Sequence, residues 1–181
     1  TFAIAAAITR GCVTIRGRVA RYLGALSSKL REAGVSVVAE EDSYTVAGSE
    51  HLSAIDIQTF AYPGFPTDLQ APFGALLTQA DGESSIHETM YDGRLLYVGE
   101  LQKMGADIAL EGLTAVIKGP SRLKGSEVQA LDIRSGAAII LAALAADGES
   151  VISKVSYVDR GYERVDKKLA QLGATIKRVP Q

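Results

Sequence analysis

The sequence predicts an α/β fold: three β-α-β-α-β-β repeats related by pseudo-threefold symmetry, with helices packed centrally and sheets outside. Three observations predict it. A Gly-centred segment recurs after an Ala-rich helical run, as Arg10-Gly11-Cys12-Val13, Asp81-Gly82-Glu83-Ser84 and Asp147-Gly148-Glu149-Ser150. Each is followed by a second amphipathic helix that closes on glycine, at Gly34, Gly105 and Gly173, after 23, 23 and 25 residues. Stretches rich in β-branched residues flank both helices. A fixed internal period of this kind marks a repeated supersecondary unit.

Phe2 to Ile8 is apolar, lacks a preceding basic region and is far too short to span a membrane, so it reads as one face of a helix that began before Thr1. The second helix of each copy shows the 3.6-residue period, for example at Leu23, Leu26 and Leu30 or at Val165, Leu169 and Leu172. Its closing glycine suits the left-handed position past a helix end. Strands are expected after those glycines at 35–38, 107–110 and 175–179, with second strands at 44–46 and 115–117 and leading strands at 54–59 and 127–131. Copy one covers about 1–48 and lacks its leading strand; copy two covers about 54–119; copy three covers about 127–181 and stops before its final strand. The expectation is one domain over 1–181, incomplete at both ends and cut from a longer polypeptide. Ala137, Ala138, Ala142 and Ala143 allow close helix contact, which places the Ala-rich helices at the centre.

With 47% hydrophobic and 22% charged residues, 181 residues bury a sizeable core, which excludes a disordered tail. Nineteen Lys plus Arg against twenty-one Asp plus Glu leave a net charge of -2 with no basic block, which argues against a nucleic-acid binder. The single Cys12 forms neither an internal disulfide nor a zinc site and reads as a buried small hydrophobe in a reducing compartment. His51 and His87 have no partner at ligand or triad spacing and read as structural or solvent-facing; no metal site is expected. Gly-rich phosphate loops of the Walker or dinucleotide type are absent, and no cofactor is expected.

Charge chemistry concentrates at turns and helix starts. Arg94 lies 12 residues after Gly82, and Arg160 lies 12 after Gly148, each in a short Asp/Gly/Arg turn before a helix. An arginine beside a helix N-terminus suits a carboxylate or phosphate. The alternative is a pair of solvated turn arginines bonded to Asp92 and Asp159. Thr67 and Gln70 fit a capping box that places Asp68 in the first helical turn, where a carboxylate is favoured in any case. Asp132 reads equally as an N-cap and Arg134 as a surface residue. The rigid, aromatic loop Tyr62-Pro63-Gly64-Phe65-Pro66 before Asp68 suggests a ligand wall instead. Met90, on its residues alone, reads as core.

Three segments, in this order, make the chain recognisable: Tyr62-Pro63-Gly64-Phe65-Pro66-Thr67-Asp68-Leu69-Gln70-Ala71, Leu131-Asp132-Ile133-Arg134 and Asp159-Arg160-Gly161-Tyr162-Glu163-Arg164. They closely resemble the UDP-N-acetylglucosamine enolpyruvyl transferases, the 1-carboxyvinyltransferases of peptidoglycan synthesis, and the similarity runs over the whole chain. The resemblance implies two domains of three β-α-β-α-β-β copies with substrates between them, this chain being most of the second. It implies transfer of enolpyruvate from phosphoenolpyruvate to the 3-hydroxyl of UDP-N-acetylglucosamine by addition and elimination, in the cytoplasm, as the first committed step toward peptidoglycan, cell-wall biogenesis, cell shape and division. By the same resemblance Arg94, Arg134 and Arg160 meet the anionic groups of phosphoenolpyruvate. Asp68 contacts the sugar hydroxyl as a candidate base, Asp132 moves a proton near the reacting carbons, and Met90 contacts the UDP-sugar through its backbone. Catalytic roles thus fall on Asp68, Asp132 and Arg160.

The family's reactive cysteine loop, with its accompanying lysine and arginine, belongs to the first domain and has no match here; Cys12 does not correspond to it. The isolated chain is therefore expected to be inactive, and the missing first domain is its expected partner. In the family the last strand of this domain comes from the protein's extreme N-terminus, which would account for the early end of copy three. Two alternatives stand beside this reading: the sister enolpyruvyl transferase acting on shikimate 3-phosphate, and a non-catalytic anion-binding module on the same scaffold.

Overall fold

A computed structural model describes residues 1–179. Copy one runs α1 (Phe2–Ile8), β1 (Cys12–Arg16), a 3-10 turn (Ala20–Tyr22), α2 (Gly24–Glu32), β2 (Ser36–Ala39) and β3 (Ser43–Ala47). Copy two runs β4 (Leu52–Ser53), β5 (Asp56–Gln58), α3 (Thr67–Leu77), β6 (Ala80–His87), α4 (Tyr97–Lys103), β7 (Asp107–Glu111) and β8 (Thr114–Gly119). Copy three runs β9 (Glu127–Gln129), α5 (Ile133–Ala145), β10 (Val151–Ser153), α6 (Ser156–Asp159) and α7 (Val165–Gln171). The expected β-α-β-α-β-β order is complete in copy two.

The Ala-rich helices α1, α3 and α5 pack against one another pairwise at the centre, and each also touches the strands of its own copy. Their inward residues are small or aliphatic and nearly free of solvent, among them Ala7, Ala75, Leu76, Ala138, Ile139 and Ala142. Small side chains allow the helix axes to approach and aliphatic ones fill the gaps. In copy one β3 lies between β1 and β2, antiparallel to both, with Val46 opposite Val13 and Val37. Copy two repeats this with β8 between β6 and β7, and adds β4 and β5 parallel to β6. Copy three has β10 parallel to β9. Gly34, Gly105 and Gly173 all have positive φ, at 87°, 95° and 101°, as their place past a helix end requires.

Two expectations need correction. Residues 175–179 form no strand. Their counterparts β2 and β7 are held by a hairpin ladder to β3 and β8, and no equivalent of those partners exists among the described residues of copy three. Cys12 is exposed rather than buried. Side chains alternate along a strand, and on β1 the parity sends Cys12, Thr14 and Arg16 outward while Val13 and Ile15 turn toward the helices.

Candidate functional site

The starts of α3 and α5 meet. Asp68 is the second residue of α3, and Arg134 is the second residue of α5. Arg134 Nε donates to Asp68 Oδ1 at 2.5 Å, and Arg94 Nη1 donates to the same oxygen at 3.2 Å. The Arg94 guanidinium lies 4.6 Å from the centre of the Tyr91 ring, a cation–π contact that orients it. The Asp68 side chain is 64% exposed, whereas Arg94 and Arg134 are 18% and 31% exposed. Two partly sheltered cations thus flank a carboxylate that faces outward. Partial burial pushes the Asp68 carboxyl up, but hydrogen bonds from Arg134 and Arg94, and their charges, outweigh it and hold the group below its ordinary value.

The capping box expected at α3 does not form. Pro66 is the N-cap and Thr67 is already helical, and the Thr67 hydroxyl donates to Glu88 Oε2 at 2.8 Å. One residue inside the helix, the Thr67 hydroxyl is not placed to accept from the N–H three residues on, and it donates to a buried carboxylate instead. Gln70 does not reach back to the cap; it is buried, and its Nε2 has no partner among the described residues. At α5 the N-cap expectation holds: Asp132 Oδ1 accepts from the backbone N–H of Arg134 at 2.8 Å and of Ser135 at 2.6 Å. The Ser135 hydroxyl closes the reciprocal box by accepting from the Asp132 N–H at 2.8 Å. Asp132 therefore holds in place the helix turn that aims Arg134 at Asp68.

Neither repeat arginine bonds to its neighbouring aspartate. Arg94 reaches Asp68 instead, and Asp159 takes a two-pronged pair from Arg178 at 2.7 Å for each oxygen. Burial matters little there, and the Arg178 hydrogen bonds lower the Asp159 carboxyl. Arg160 follows the end of α6, so its segment closes a short helix rather than opening one. Its exposed side chain has no ion-pair partner among the described residues. A Cβ on Gly161 would stand 2.7 Å from Ile133 Cγ2, which places this segment against the first turn of α5. Met90 is partly exposed, not core. Its N–H donates to Glu88 Oε1 at 2.7 Å, which leaves its carbonyl for another group.

The loop before α3 is fastened through Phe65, which is buried and meets Phe73 edge to face at 5.5 Å, while Phe60 and Tyr62 stay exposed. A shallow cavity of about 390 Å³ contains Arg94, Tyr91 and Glu88. A larger groove of about 750 Å³, between α2 and β5, is lined in part by Gly64 and Phe65 of the loop before α3 but by none of Asp68, Met90, Arg94, Asp132, Arg134 and Arg160. Sequence reasoning missed Glu88 and Tyr91, because their contacts join separate segments and leave no periodic trace. Among the described residues no cluster of His, Cys, Asp and Glu fits a metal ion, and no helix is long and apolar enough to cross a membrane. The arrangement offers paired guanidiniums for an anion and an ionised carboxylate beside them for a proton.

Comparison with known proteins shows the family and the fold. Residues 1–169 match the family described as EPSP synthase (3-phosphoshikimate 1-carboxyvinyltransferase). UDP-N-acetylglucosamine 1-carboxyvinyltransferase from Geobacter metallireducens is 48% identical over 100% of this chain and 43% of its own length. UDP-N-acetylglucosamine 1-carboxyvinyltransferase 2 from Geobacillus kaustophilus is 46% identical over 98% of the chain and 42% of its own length. Among solved structures, the enolpyruvyl transferase NikO from Streptomyces tendae superposes with a TM-score of 0.90 at 25% identity, over 97% of this chain and 42% of that one. EPSP synthase from Acinetobacter baumannii shares the fold at a TM-score of 0.57 and 20% identity, over 83% of this chain and 36% of that one. The chain spans less than half the length of the curated relatives it matches.

Proposed function

The chain belongs to the EPSP synthase (3-phosphoshikimate 1-carboxyvinyltransferase) family, and from that premise we propose that it is one of two domains of an enzyme that transfers enolpyruvate from phosphoenolpyruvate to the 3-hydroxyl of UDP-N-acetylglucosamine. The observation that carries the reading is the Arg94–Asp68–Arg134 cluster at the meeting helix starts, in a chain whose relatives at 44–48% identity bear the UDP-N-acetylglucosamine transferase name.

In the addition step the sugar hydroxyl bonds to C2 of phosphoenolpyruvate, loses its proton and leaves C3 to gain one. In the elimination step C3 gives up a proton and phosphate departs, which restores the double bond. Arg94, Arg134 and Arg160 bind the carboxylate and phosphate groups, where fixed cations stabilise charge that builds in the transition state. Asp68 accepts the hydroxyl proton. A substrate anion that draws the two guanidiniums away from Asp68 raises the carboxylate's proton affinity at the moment a base is needed. Asp132 moves the proton at C3, and the Met90 carbonyl holds the UDP-sugar. The missing first domain closes the cleft from the other side and supplies the rest of the machinery. It also fits the proposal that a strand from elsewhere in the whole protein fills the place beside β10 that β3 and β8 fill in the other copies. Cytoplasmic peptidoglycan synthesis, with its consequences for cell wall, shape and division, is the setting.

The test is phosphate release by the full-length protein from phosphoenolpyruvate with either acceptor. Release with UDP-N-acetylglucosamine supports the reading; release only with shikimate 3-phosphate selects the sister reaction named in the family description. Anion binding without release from either acceptor selects a binding module.

A further inference from the structure

Glu88 follows the last residue of β6 and is a charged side chain with 1% exposure and no cationic partner among the described residues. A buried carboxylate persists only where donors replace its lost water. Four do so here. Oε1 accepts from the Thr59 hydroxyl at 2.8 Å, from Met90 N–H at 2.7 Å and from Tyr91 N–H at 3.3 Å, and Oε2 accepts from the Thr67 hydroxyl at 2.8 Å. The donors come from three separate segments: the residue after β5, the first residue of α3, and the loop that carries Arg94. Thr59 ties the same loop twice more, by accepting from Thr89 N–H at 2.9 Å and by taking the Thr89 hydroxyl on its carbonyl.

Two of the three segments that Glu88 grips lie beside candidate site residues. Thr67 precedes Asp68, Met90 is itself a candidate contact, and Tyr91 stacks on Arg94. We propose that Glu88 is a positioning residue: it locks the 88–94 loop to the start of α3 so that Arg94 and the Met90 backbone are held at fixed distance from Asp68. The inference rests on the functional reading above and adds a residue that reaches the substrates only through others. A hydrophobic residue of similar volume would fill the space but take away the acceptor that holds the Met90 and Tyr91 N–H groups, so the loop would be freed from this geometry.

The experiment is a double-mutant cycle of Glu88→Ala and Arg94→Ala in the full-length protein, read by phosphate release from phosphoenolpyruvate and UDP-N-acetylglucosamine below the unfolding midpoint of every variant. Glu88→Ala is expected to slow release about a hundredfold, the scale of a small misplacement of reacting groups. In that background Arg94→Ala should cost far less than it does alone. Glu88→Gln should restore most activity, since its carbonyl can keep the three Oε1 contacts while the Thr67 hydroxyl turns to accept from the amide. Hydrogen exchange at Met90 and Tyr91 should accelerate in Glu88→Ala and return to normal in Glu88→Gln. Thr59→Val, which removes one donor to Glu88 together with the acceptor for the Thr89 N–H, should show a weaker version of the same coupling if Glu88→Ala does not fold. Full activity in Glu88→Ala or Thr59→Val with only a lowered midpoint, or losses that multiply independently, would overturn the proposal. If Arg94→Ala alone leaves release unchanged, the site reading itself falls and takes this inference with it, a result distinct from independent losses.

Discussion

Asp68 and Arg134 hold the same position, second in the helix, in two successive repeats, and their side chains meet in an ion pair at 2.5 Å. The 66 residues that separate them also separate Gly82 from Gly148 and Arg94 from Arg160. Pseudo-threefold rotation brings the starts of the central helices to one end of the bundle. Opposite charges at equivalent positions make the meeting attractive where identical charges would repel. By the same offset Arg160 stands to α5 as Arg94 stands to α3, in agreement with the close approach of Gly161 to Ile133.

Asp132 has two roles that substitution can separate. Asp132→Ala should lower stability by about 1 kcal/mol through loss of the cap. Asp132→Asn keeps a capping oxygen, so its thermal midpoint should stay near that of the parent while phosphate release falls. Normal release by Asp132→Asn would confine the residue to capping.

The Asp68 ion pair also sets a pH signature. The folded carboxyl titrates below its ordinary 3.8, so the stability it contributes is complete above that value and is lost as pH falls through the lowered folded pKa. Because the side chain is well exposed, the contribution is at most about 1 kcal/mol. Thermal midpoints of parent and Asp68→Asn should differ slightly near neutral pH and converge in acid. A gap that stays constant down to about pH 3 would deny that the ionised form is favoured in the folded state.

The repeat was legible because glycines at positive φ and helical periodicity are local properties. The 175–179 segment and Cys12 were misread because pairing and strand parity depend on distant partners. Residues 175–179 have strand composition but no ladder, and Cys12 faces outward because of how β1 registers on β3. The candidates Asp68, Arg94 and Arg134 stood out by type and position, yet their convergence on one oxygen follows from helix rotation, which no spacing encodes. Glu88 was hidden because a single acid after a strand has no pattern until its four donors are seen in space.

Separated from the rest of the protein, this chain should show no phosphate release from phosphoenolpyruvate and UDP-N-acetylglucosamine. In the proposed reading Arg94, Asp68 and Arg134 form only one wall of the substrate cleft, and a single wall excludes too little water to strengthen their electrostatics. Turnover by the isolated chain at the rate of the full-length protein would place the whole reaction on this domain.

In the proposed reaction the carboxylate between the two arginines does chemistry rather than hold the helices together. Asp68→Asn in the full-length protein tests it most directly, because the amide keeps the side-chain shape and an acceptor oxygen for Arg134 but cannot take up the hydroxyl proton. Phosphate release and the thermal midpoint are measured on the same preparation. Turnover is expected to fall about a hundredfold or more with a midpoint close to the parent's. Near-normal turnover with a lowered midpoint would contradict that role for Asp68.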